Sequence, residues 1–484
     1  QQSQPKTSTA CGEINKTLHT SDEMLDANKT LLHFAMINKT LITCILALFI
    51  CAAPGYAKTV PPNVILIMVD DLGYYDLGCY GHPQIKTPVL DQLAKDGMRL
   101  TSFYSGATIC TPSRMALLTG AYPSRLGWTK GVLGYLISTN QGMSPNALTI
   151  AEIYKSQGYT TGLVGKWHLG DMPKFLPHQQ GFDHTYYINK SNNQTKSLWR
   201  GDELLEKPFD NRLLTEKFAT EAISFIKTNK DQPFFLYLPF TAPHFPVQAH
   251  PDWKGKSAFG RGDAEGEKKH DYGDVVEELD HRIGDILKTL KSEKLDQDTI
   301  VVFLSDNGPQ RNQKAQAIPF RGYKWEALEG GTRVPCIVRW PGVVPPGVES
   351  NQLIAAIDLL PSLCHACGFD LKTISKGSPV IDGVNVWDTL AAKKDAIHAR
   401  KDLLYWHGKE GFHAIREGEW KLFLDGKNAE LKRDNKGPVL FNLADENEEL
   451  IDLSAKFPQK VKELQDLAKE RLAEIDTNII PLSD

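Results

Sequence analysis

Val64-Ile65-Leu66-Ile67-Met68-Val69 runs straight into Asp70-Asp71-Leu72-Gly73. The continuous apolar run predicts a strand buried on both faces, as in a parallel sheet with helices on either side. Its abrupt end in two adjacent carboxylates has two readings. They can cap a following helix. They can also hold a cation, because two like charges about 4 Å apart repel by roughly 4 kcal/mol at an effective dielectric near 20, and an ion relieves that. The carboxyl ends of parallel strands are also where open α/β sheets bind ligands.

Three more runs of this kind follow. Residues 159–164 lead to Gly165-Lys166-Trp167-His168, residues 234–238 to Thr241-Ala242-Pro243-His244-Phe245-Pro246, and residues 299–304 to Ser305-Asp306-Asn307-Gly308. Lys166 and His168 point the same way if the backbone is extended, and the prolines stiffen the support of His244. Capping or surface chemistry accounts for any one of these endings, but not easily for all four. Helical patterns over 90–98, 148–157, 213–227, from Asp271 or Tyr272 onward, and over 355–367 separate the strands. The fourth of these has Val275, Leu279, Ile283, Ile286, Leu287 and Leu290 on one face. The alternation predicts an α/β fold with a mostly parallel central sheet between helices. The polar stretch 189–212 reads as a long surface loop. After about Phe369 the runs 403–406, 413–416, 420–424 and 440–443 are short and turn-separated, which predicts an antiparallel sheet, followed by a terminal helix over 458–475. The expected division is a leader over 1–57, a large α/β domain over 58–369 and a small α+β domain over 370–484.

The 484 residues are 24% charged and 41% hydrophobic with a net charge of −4. That is a globular balance, and nothing in it suggests nucleic acid. Met36-Ile37-Asn38-Lys39, an apolar run over 41–50 and Ala52-Ala53-Pro54-Gly55-Tyr56-Ala57 read as a secretory signal over 36–57, cut after Ala57. The run is shorter than the roughly 20 residues of a membrane span, so no stable span is expected. Cys51 raises a lipoprotein alternative, against which Ile50 stands where a small residue belongs. Cys11, Cys44 and Cys51 lie in the leader, and the five remaining cysteines do not make a disulfide framework. Cys364-His365-Ala366-Cys367 has metal or redox spacing, but it lies in an apolar helical pattern without a second ligand pair and reads as core. Processing signal, cysteine use and sparse glycosylation-type triplets beyond the leader, among them Asn193-Gln194-Thr195, favour a periplasmic or secreted protein.

Cys110-Thr111-Pro112-Ser113-Arg114 continues through Met115 to Leu118-Thr119-Gly120. A cysteine met alone is by habit a core residue. Here Pro112 suits the first turn of a helix, and residues 113–118 read as helix. Cys110 then sits at a helix N-terminus, where exposed N–H groups favour an anion. Further on, Phe320-Arg321-Gly322-Tyr323-Lys324 precedes Glu329-Gly330-Gly331-Thr332-Arg333-Val334-Pro335. Its glycines permit close backbone approach, and Lys324 can reach inward over that turn.

The stretch Cys110-x-Pro112-Ser113-Arg114 with Leu118-Thr119-Gly120 resembles the sulfatase signature. Asp70-Asp71, Gly165-Lys166-Trp167-His168, Ala242-Pro243-His244, Ser305-Asp306-Asn307-Gly308 and the 324–335 segment resemble five further motifs in that family's order, so the resemblance runs from Pro62 to about Leu453. It implies an alkaline-phosphatase-like large domain with a small C-terminal α+β domain. It implies that a formylglycine-generating or sulfatase-maturating enzyme converts Cys110 to formylglycine, an aldehyde that hydrates to a geminal diol. It implies one divalent ion, usually Ca2+, on Asp70, Asp71, Asp306 and Asn307 with modified Cys110 in its shell. Those side chains are oxygen donors, as a hard cation requires. In the implied mechanism Arg114, Lys166 and Lys324 neutralise the sulfate, a diol hydroxyl attacks sulfur, His244 and Lys324 protonate the leaving oxygen, and His168 takes a proton from the second hydroxyl.

The rivals are a phosphonate or phosphate-ester hydrolase using the same chemistry, and a non-catalytic glycan-binding protein on a dead sulfatase fold. Resemblance to galactose- and galactosamine-sulfatases points to a sulfated carbohydrate substrate, galactose-type. Trp199, Arg200, Arg311, Trp325 and His407 are the candidates to contact it, since sugar faces stack on rings and neighbouring sulfates need cations. The chain departs from the family pattern at Trp325-Glu326-Ala327-Leu328, and the 440–453 segment lacks an Asp-Pro pair often found there.

Overall fold

Residues Asn63–Val69 form β1, a central strand of a ten-stranded sheet. The structure, a computed structural model, describes residues 61–262, 268–378, 380–429, 437–444 and 449–483. The predicted leader and signal, 1–57, lie outside the described residues. In chain order the other strands of the sheet are β2 (Met98–Leu100), β3 (Thr160–Lys166), β4 (His184–Ile188), β5 (Leu198–Arg200), β6 (Glu203–Glu206), β7 (Phe234–Pro239), β8 (Thr299–Ser305), β9 (Cys336–Arg339) and β10 (Val348–Ser350). Their order in space is β10-β2-β9-β8-β1-β7-β3-β4-β5-β6. The five strands from β8 to β4 are parallel, with Leu66 opposite Val302 on one side and Tyr237 on the other. Antiparallel pairs flank them: β9 against β8 and β2, and β5 against β4 and β6.

The apolar run of β1 explains its central place. Val64, Leu66 and Met68 enter one hydrophobic core, and Ile65, Ile67 and Val69 enter the other. Burying these six side chains is worth roughly 9–18 kcal/mol against leaving them in water. The helices α1 (Pro88–Lys95), α2 (Cys110–Thr119), α3 (Ile150–Ser156), α4 (Leu214–Thr228), α5 (Tyr272–Ser292) and α6 (Leu359–Ala366) cover the two faces. Apolar side chains of α2, α3 and α6 belong to the first core, and those of α1, α4 and α5 to the second. A capping box of Thr149 and Glu152 starts α3, and Gly158, at φ 82°, turns the chain away after it.

Three sequence expectations change. The polar stretch 189–212 contains the β5–β6 hairpin at the rim of the sheet. An edge strand buries little, so its exposed Glu203 and Leu204 gave no strand-like alternation. The helix expected over 90–98 stops at Lys95, because Met98 enters β2. The helix expected from residue 355 starts at Leu359; Ile354–Ala355 pair with Phe103–Tyr104, and a 3-10 turn intervenes. Cys364 is buried in the core and Cys367 lies 3.3 Å from the Tyr154 hydroxyl, so this pair packs as expected.

The C-terminal sheet is an antiparallel meander of β11 (Asp402–His407), β12 (Gly411–Glu417), β13 (Trp420–Phe423) and β14 (Val439–Asn442), accompanied by α7 (Pro458–Asp476). Its apolar side chains, such as Leu404, Ile415 and Leu422, join the first core, and residues Pro61–Asp484 form one compact unit. A buried ionic cluster links this sheet to the loop after Lys324. Lys421 Nζ on β13 lies 3.0 Å from Glu329 Oε1 and 2.7 Å from Glu449 Oε1. The Tyr104 hydroxyl donates to Glu329 Oε2 at 2.5 Å, and Glu329 N donates to Glu449 Oε2 at 2.7 Å. Among the described residues, no helix is long and apolar enough to cross a membrane.

Candidate active site

Four neighbouring parallel strands, β8, β1, β7 and β3, deliver the polar endings to one edge of the sheet. Asp70 and Asp71 follow β1, Asp306 and Asn307 follow β8, Lys166 closes β3 with His168 just beyond, and His244 stands on the loop after β7. Cys110 is the first residue of α2, and all ten residues of that helix are buried. Lys324 comes in on the glycine-bearing loop. Close approach is required there: a Cβ at Gly308 would lie 1.9 Å from the Gly330 carbonyl oxygen.

These side chains interlock. Cys110 Sγ donates to Asp70 Oδ1 at 3.3 Å and accepts from Lys324 Nζ at 3.0 Å. Lys324 Nζ also donates to Asp71 Oδ1, and Lys166 Nζ to Asp70 Oδ2, both at 2.5 Å. Arg114 holds Asp306 Oδ2 through Nε (3.2 Å) and Nη2 (2.8 Å), and its Nη1 donates to the Lys166 carbonyl at 3.0 Å. Asn307 Nδ2 donates to Asp71 Oδ1 at 2.7 Å. Asp70, Asp71 and Asp306 thus face Arg114, Lys166 and Lys324, three anions against three cations, all buried. Two further residues that the sequence did not single out complete the cluster. Ser191 Oγ accepts from Lys166 Nζ at 3.1 Å, and Asn192 Oδ1 lies 3.0 Å from His244 Nδ1.

Burial and these charges set the ionisation. For Asp70, burial pushes the carboxyl up, but Lys166, His244, Arg114 and Lys324 together hold it well below the usual carboxylate range. Asp306 goes the other way, to about 7, raised by burial and by Asp70 against the pull of Arg114 and Lys166. Burial and Asp70 push the Cys110 thiol up to about 12. His168 is held neutral, well below the usual imidazole value, by burial and then by Lys166 and Arg114. His244 falls to about 4 through burial, partly offset by Asp70 and Asp71. For Lys324, burial alone would lower the ammonium, but Asp71, Cys110, Asp70 and Asp306 raise it above its ordinary value.

Two observations mark the cluster as a ligand site. Asp71 Oδ2, Asn307 Oδ1 and His168 Nδ1 are buried without a hydrogen-bond partner. Unsatisfied buried polar atoms are costly unless something outside the chain meets them. Asp71, His168 and Trp325 also hold left-handed backbone, at φ 67°, 61° and 85°. Such strain costs of order 1–3 kcal/mol per residue and collects at functional sites. The two orphaned oxygens, with the Asp70 and Asp306 carboxylates beside them, fit a hard divalent cation, and Asp70, Asp71, Cys110 and His244 offer donor atoms within 4.8 Å of one another.

Above the cluster lies a cavity of about 500 Å3, with Asp71, Cys110, His168, His244 and Lys324 in its lining. Of the five expected sugar contacts, Trp325 lines it. Arg311 stands beside it, paired with Glu326 at 2.5 Å. His407 lies behind Trp325: the adjacent Gly408 N donates to the Trp325 carbonyl at 2.8 Å, and the His407 ring stacks on His413. Trp199 and Arg200 sit on β5 away from the lining, with Arg200 paired to Glu221 at 2.5 Å. Asn193 and Gln194, read in the sequence as part of a glycosylation triplet, line the cavity instead.

A mostly parallel sheet whose strand ends gather carboxylates, cations and a helix-terminal cysteine defines a hydrolase of anionic esters. Residues 62–369 match the Sulfatase family model, and the chain belongs to the sulfatase family, whose members hydrolyse sulfuric esters. It is 34% identical over 414 residues to arylsulfatase A of Homo sapiens, covering 78% of this chain and 77% of that one. It is 34% identical over 390 residues to N-acetylgalactosamine-6-sulfatase of Canis lupus familiaris, covering 75% and 71%. Among solved structures, Ps i-CgsB in complex with k-i-k-neocarrahexaose matches with a TM-score of 0.72 and 29% identity over 87% of this chain and 94% of that one.

Proposed function

We propose that this sulfatase removes sulfate from a sulfated carbohydrate of galactose type, with Cys110, as formylglycine, at its centre. The observation that carries this is the place of Cys110: first residue of α2, between Asp70 and Lys324, at the floor of an open cavity. A family model matching residues 62–369 and relatives that include N-acetylgalactosamine-6-sulfatase support it, as does the neocarrahexaose complex of Ps i-CgsB. Neither the phosphonate nor the non-catalytic reading finds comparable support.

Asp70, Asp71, Asp306 and Asn307 would hold the divalent ion, calcium by donor type, with residue 110 in its shell. That ion supplies Lewis-acid stabilisation of charge on the sulfate oxygens. Arg114, Lys166 and Lys324 already balance the three anions, so a bound divalent ion would give the site an excess of positive charge toward an anionic ester. The modified residue supplies a hydroxyl nucleophile, which an unmodified thiol with a value near 12 does not replace. His168, neutral in this setting, is fit to accept a proton at the unpartnered Nδ1. Of the two groups expected to protonate the leaving oxygen, Lys324 is the better donor here, since His244 is neutral above about 4. His244 then orients the ester through a hydrogen bond.

The same reading includes a signal peptide over 36–57, a periplasmic or secreted location, a maturation enzyme as partner, and a division near residue 369 between the catalytic domain and a small C-terminal domain. The test is the mass of the peptide containing residue 110, taken with turnover of a sulfate ester by the same preparation. An active protein whose residue 110 is wholly thiol would overturn the reading.

A further inference from the structure

The cavity has a charged floor and a neutral wall. Above the reaction centre, two loops contribute the amides Asn193, Gln194, Gln310, Asn312 and Gln313, and three rings stand among them, Tyr135, Phe245 and Trp325. None of these described lining residues carries a charge. We infer that the site takes a singly sulfated sugar among neutral neighbours and disfavours glycans with a second anion beside the scissile sulfate. The inference rests on the carbohydrate reading above and narrows it.

The amides supply the first argument. The side chains of Asn193, Gln310 and Asn312 make no hydrogen bond to a described residue, and Gln313 Oε1 has no partner. An amide both donates and accepts, which matches a hydroxyl, a group that also does both. A sulfate or carboxylate can only accept, so it would use half of each amide and leave the other half facing an anion. An anion there would find no cation among the side chains these loops contribute to the lining.

Most cations nearby are held by carboxylates, which supplies the second argument; among the described residues Lys314 and Lys409 have no such partner, but neither lines the cavity. Arg311 lies between Gln310 and Asn312 in sequence, yet its guanidinium is paired with Glu326 at 2.5 Å and lies 4.5 Å from the Tyr323 ring centroid. Lys409 Nζ lies over the Trp325 ring at 5.4 Å. Lys190 pairs with Asp171 at 2.7 Å. Lys166 and Lys324 are held by Asp70 and Asp71 at the floor, where the scissile sulfate itself must go.

The rings supply the third. Trp325 is pinned at both ends of its peptide, N to the Thr108 carbonyl at 2.9 Å and O to Gly408 N at 2.8 Å. Tyr135 meets it edge-on at 5.8 Å. A rigid aromatic wall suits the C–H face that a galactose-type ring presents opposite its axial hydroxyl.

The test uses the full-length, matured enzyme and three substrates at one ionic strength: a small aryl sulfate, a galactose-type disaccharide with one sulfate, and the same disaccharide with a second sulfate on the adjoining ring. The expected result is a kcat/KM about tenfold or more higher for the monosulfated than for the disulfated sugar. Gln310→Lys and Asn312→Lys, each adding a cation to the wall, should narrow that ratio. Equal or better turnover of the disulfated sugar, or a ratio untouched by both lysines, overturns the inference and leaves the carbohydrate reading standing. Turnover of the aryl sulfate with neither sugar accepted overturns the carbohydrate reading, and this inference with it. No turnover of any of the three overturns the galactose-type reading of the site, and this inference with it.

Discussion

Lys421→Met removes the one cation that lies within 3.0 Å of both Glu329 and Glu449, while keeping most of the volume of the lysine stem. All three side chains are buried. Removing one member of a buried ion pair typically costs about 3–5 kcal/mol, because the partner's desolvation is no longer offset. The two carboxylates will not suffer equally. Against burial, Glu329 is held at about 2 by Lys421, Arg416 and Arg333, and it keeps both arginines in the variant. Glu449 is already raised by burial, with Lys421 as its counterweight, and in the variant it rises further. A carboxyl raised above its unfolded value binds its proton more tightly when folded. Its contribution to stability is therefore full below the unfolded value and is lost as pH climbs through the folded one. The variant should thus lose about 3–5 kcal/mol at pH 8 and less at pH 5, as Glu449 takes up its proton with falling pH. Denaturant titrations followed by circular dichroism at the two pH values read this directly, and Lys421→Met combined with Glu449→Gln should recover part of the loss at pH 8. A loss below about 1 kcal/mol at pH 8, the size of an exposed pair, would refute the argument. So would the same loss at both pH values.

Asp306→Ala should abolish sulfate-ester turnover and lower the divalent-metal content of the purified protein; retention of one ion per chain with full activity would remove Asp306 from the ligand set. Asp280 accepts from the N–H groups of Val89 and Leu90 at the start of α1, and burial lifts its carboxyl to about 7. Wild type should therefore lose stability between pH 4 and pH 7 through this group, by as much as about 4 kcal/mol, and Asp280→Asn should not; parallel stability curves for the two proteins would contradict this. Trp325→Ala should raise KM for a sulfated oligosaccharide far more than for a small aryl sulfate, whereas Arg200→Ala, on β5 away from the cavity lining, should move neither. Equal effects of the two substitutions in steady-state assays would place sugar contacts elsewhere.

The sheet and the floor of the site were legible because each central strand carries an unbroken apolar run that stops at a polar pair. Val64 to Val69 before Asp70-Asp71 and Thr299 to Leu304 before Ser305-Asp306-Asn307 mark both the strand and the end that matters. The neutral wall was not legible. Asn193, Gln310 and Asn312 sit in irregular loops with no period, and their meeting place depends on the sheet order. Arg200 and Trp199 looked like sugar contacts from residue type alone, but the strand carrying them lies in the hairpin at the rim of the sheet, away from the cavity lining. Ser191 and Asn192 touch Lys166 and His244 across tens of residues of chain, and nothing local in their neighbourhood signals it. The pairing of Lys421 with Glu329, 92 residues apart, is hidden in the same way.

The burial of α2 bears on when the chain can be handled by another enzyme. Cys110, Pro112, Ser113 and Arg114 are all buried, and Arg114 is locked to a carboxylate 192 residues further on. A catalyst that must grip these side chains to act on the thiol finds them only on a chain in which β8 has not yet docked beside β1. Contacts of such long sequence separation form late and slowly. On the formylglycine reading, the interval before they form would be the working window for maturation, and a chain that closed too early would keep an unmodified thiol at its centre.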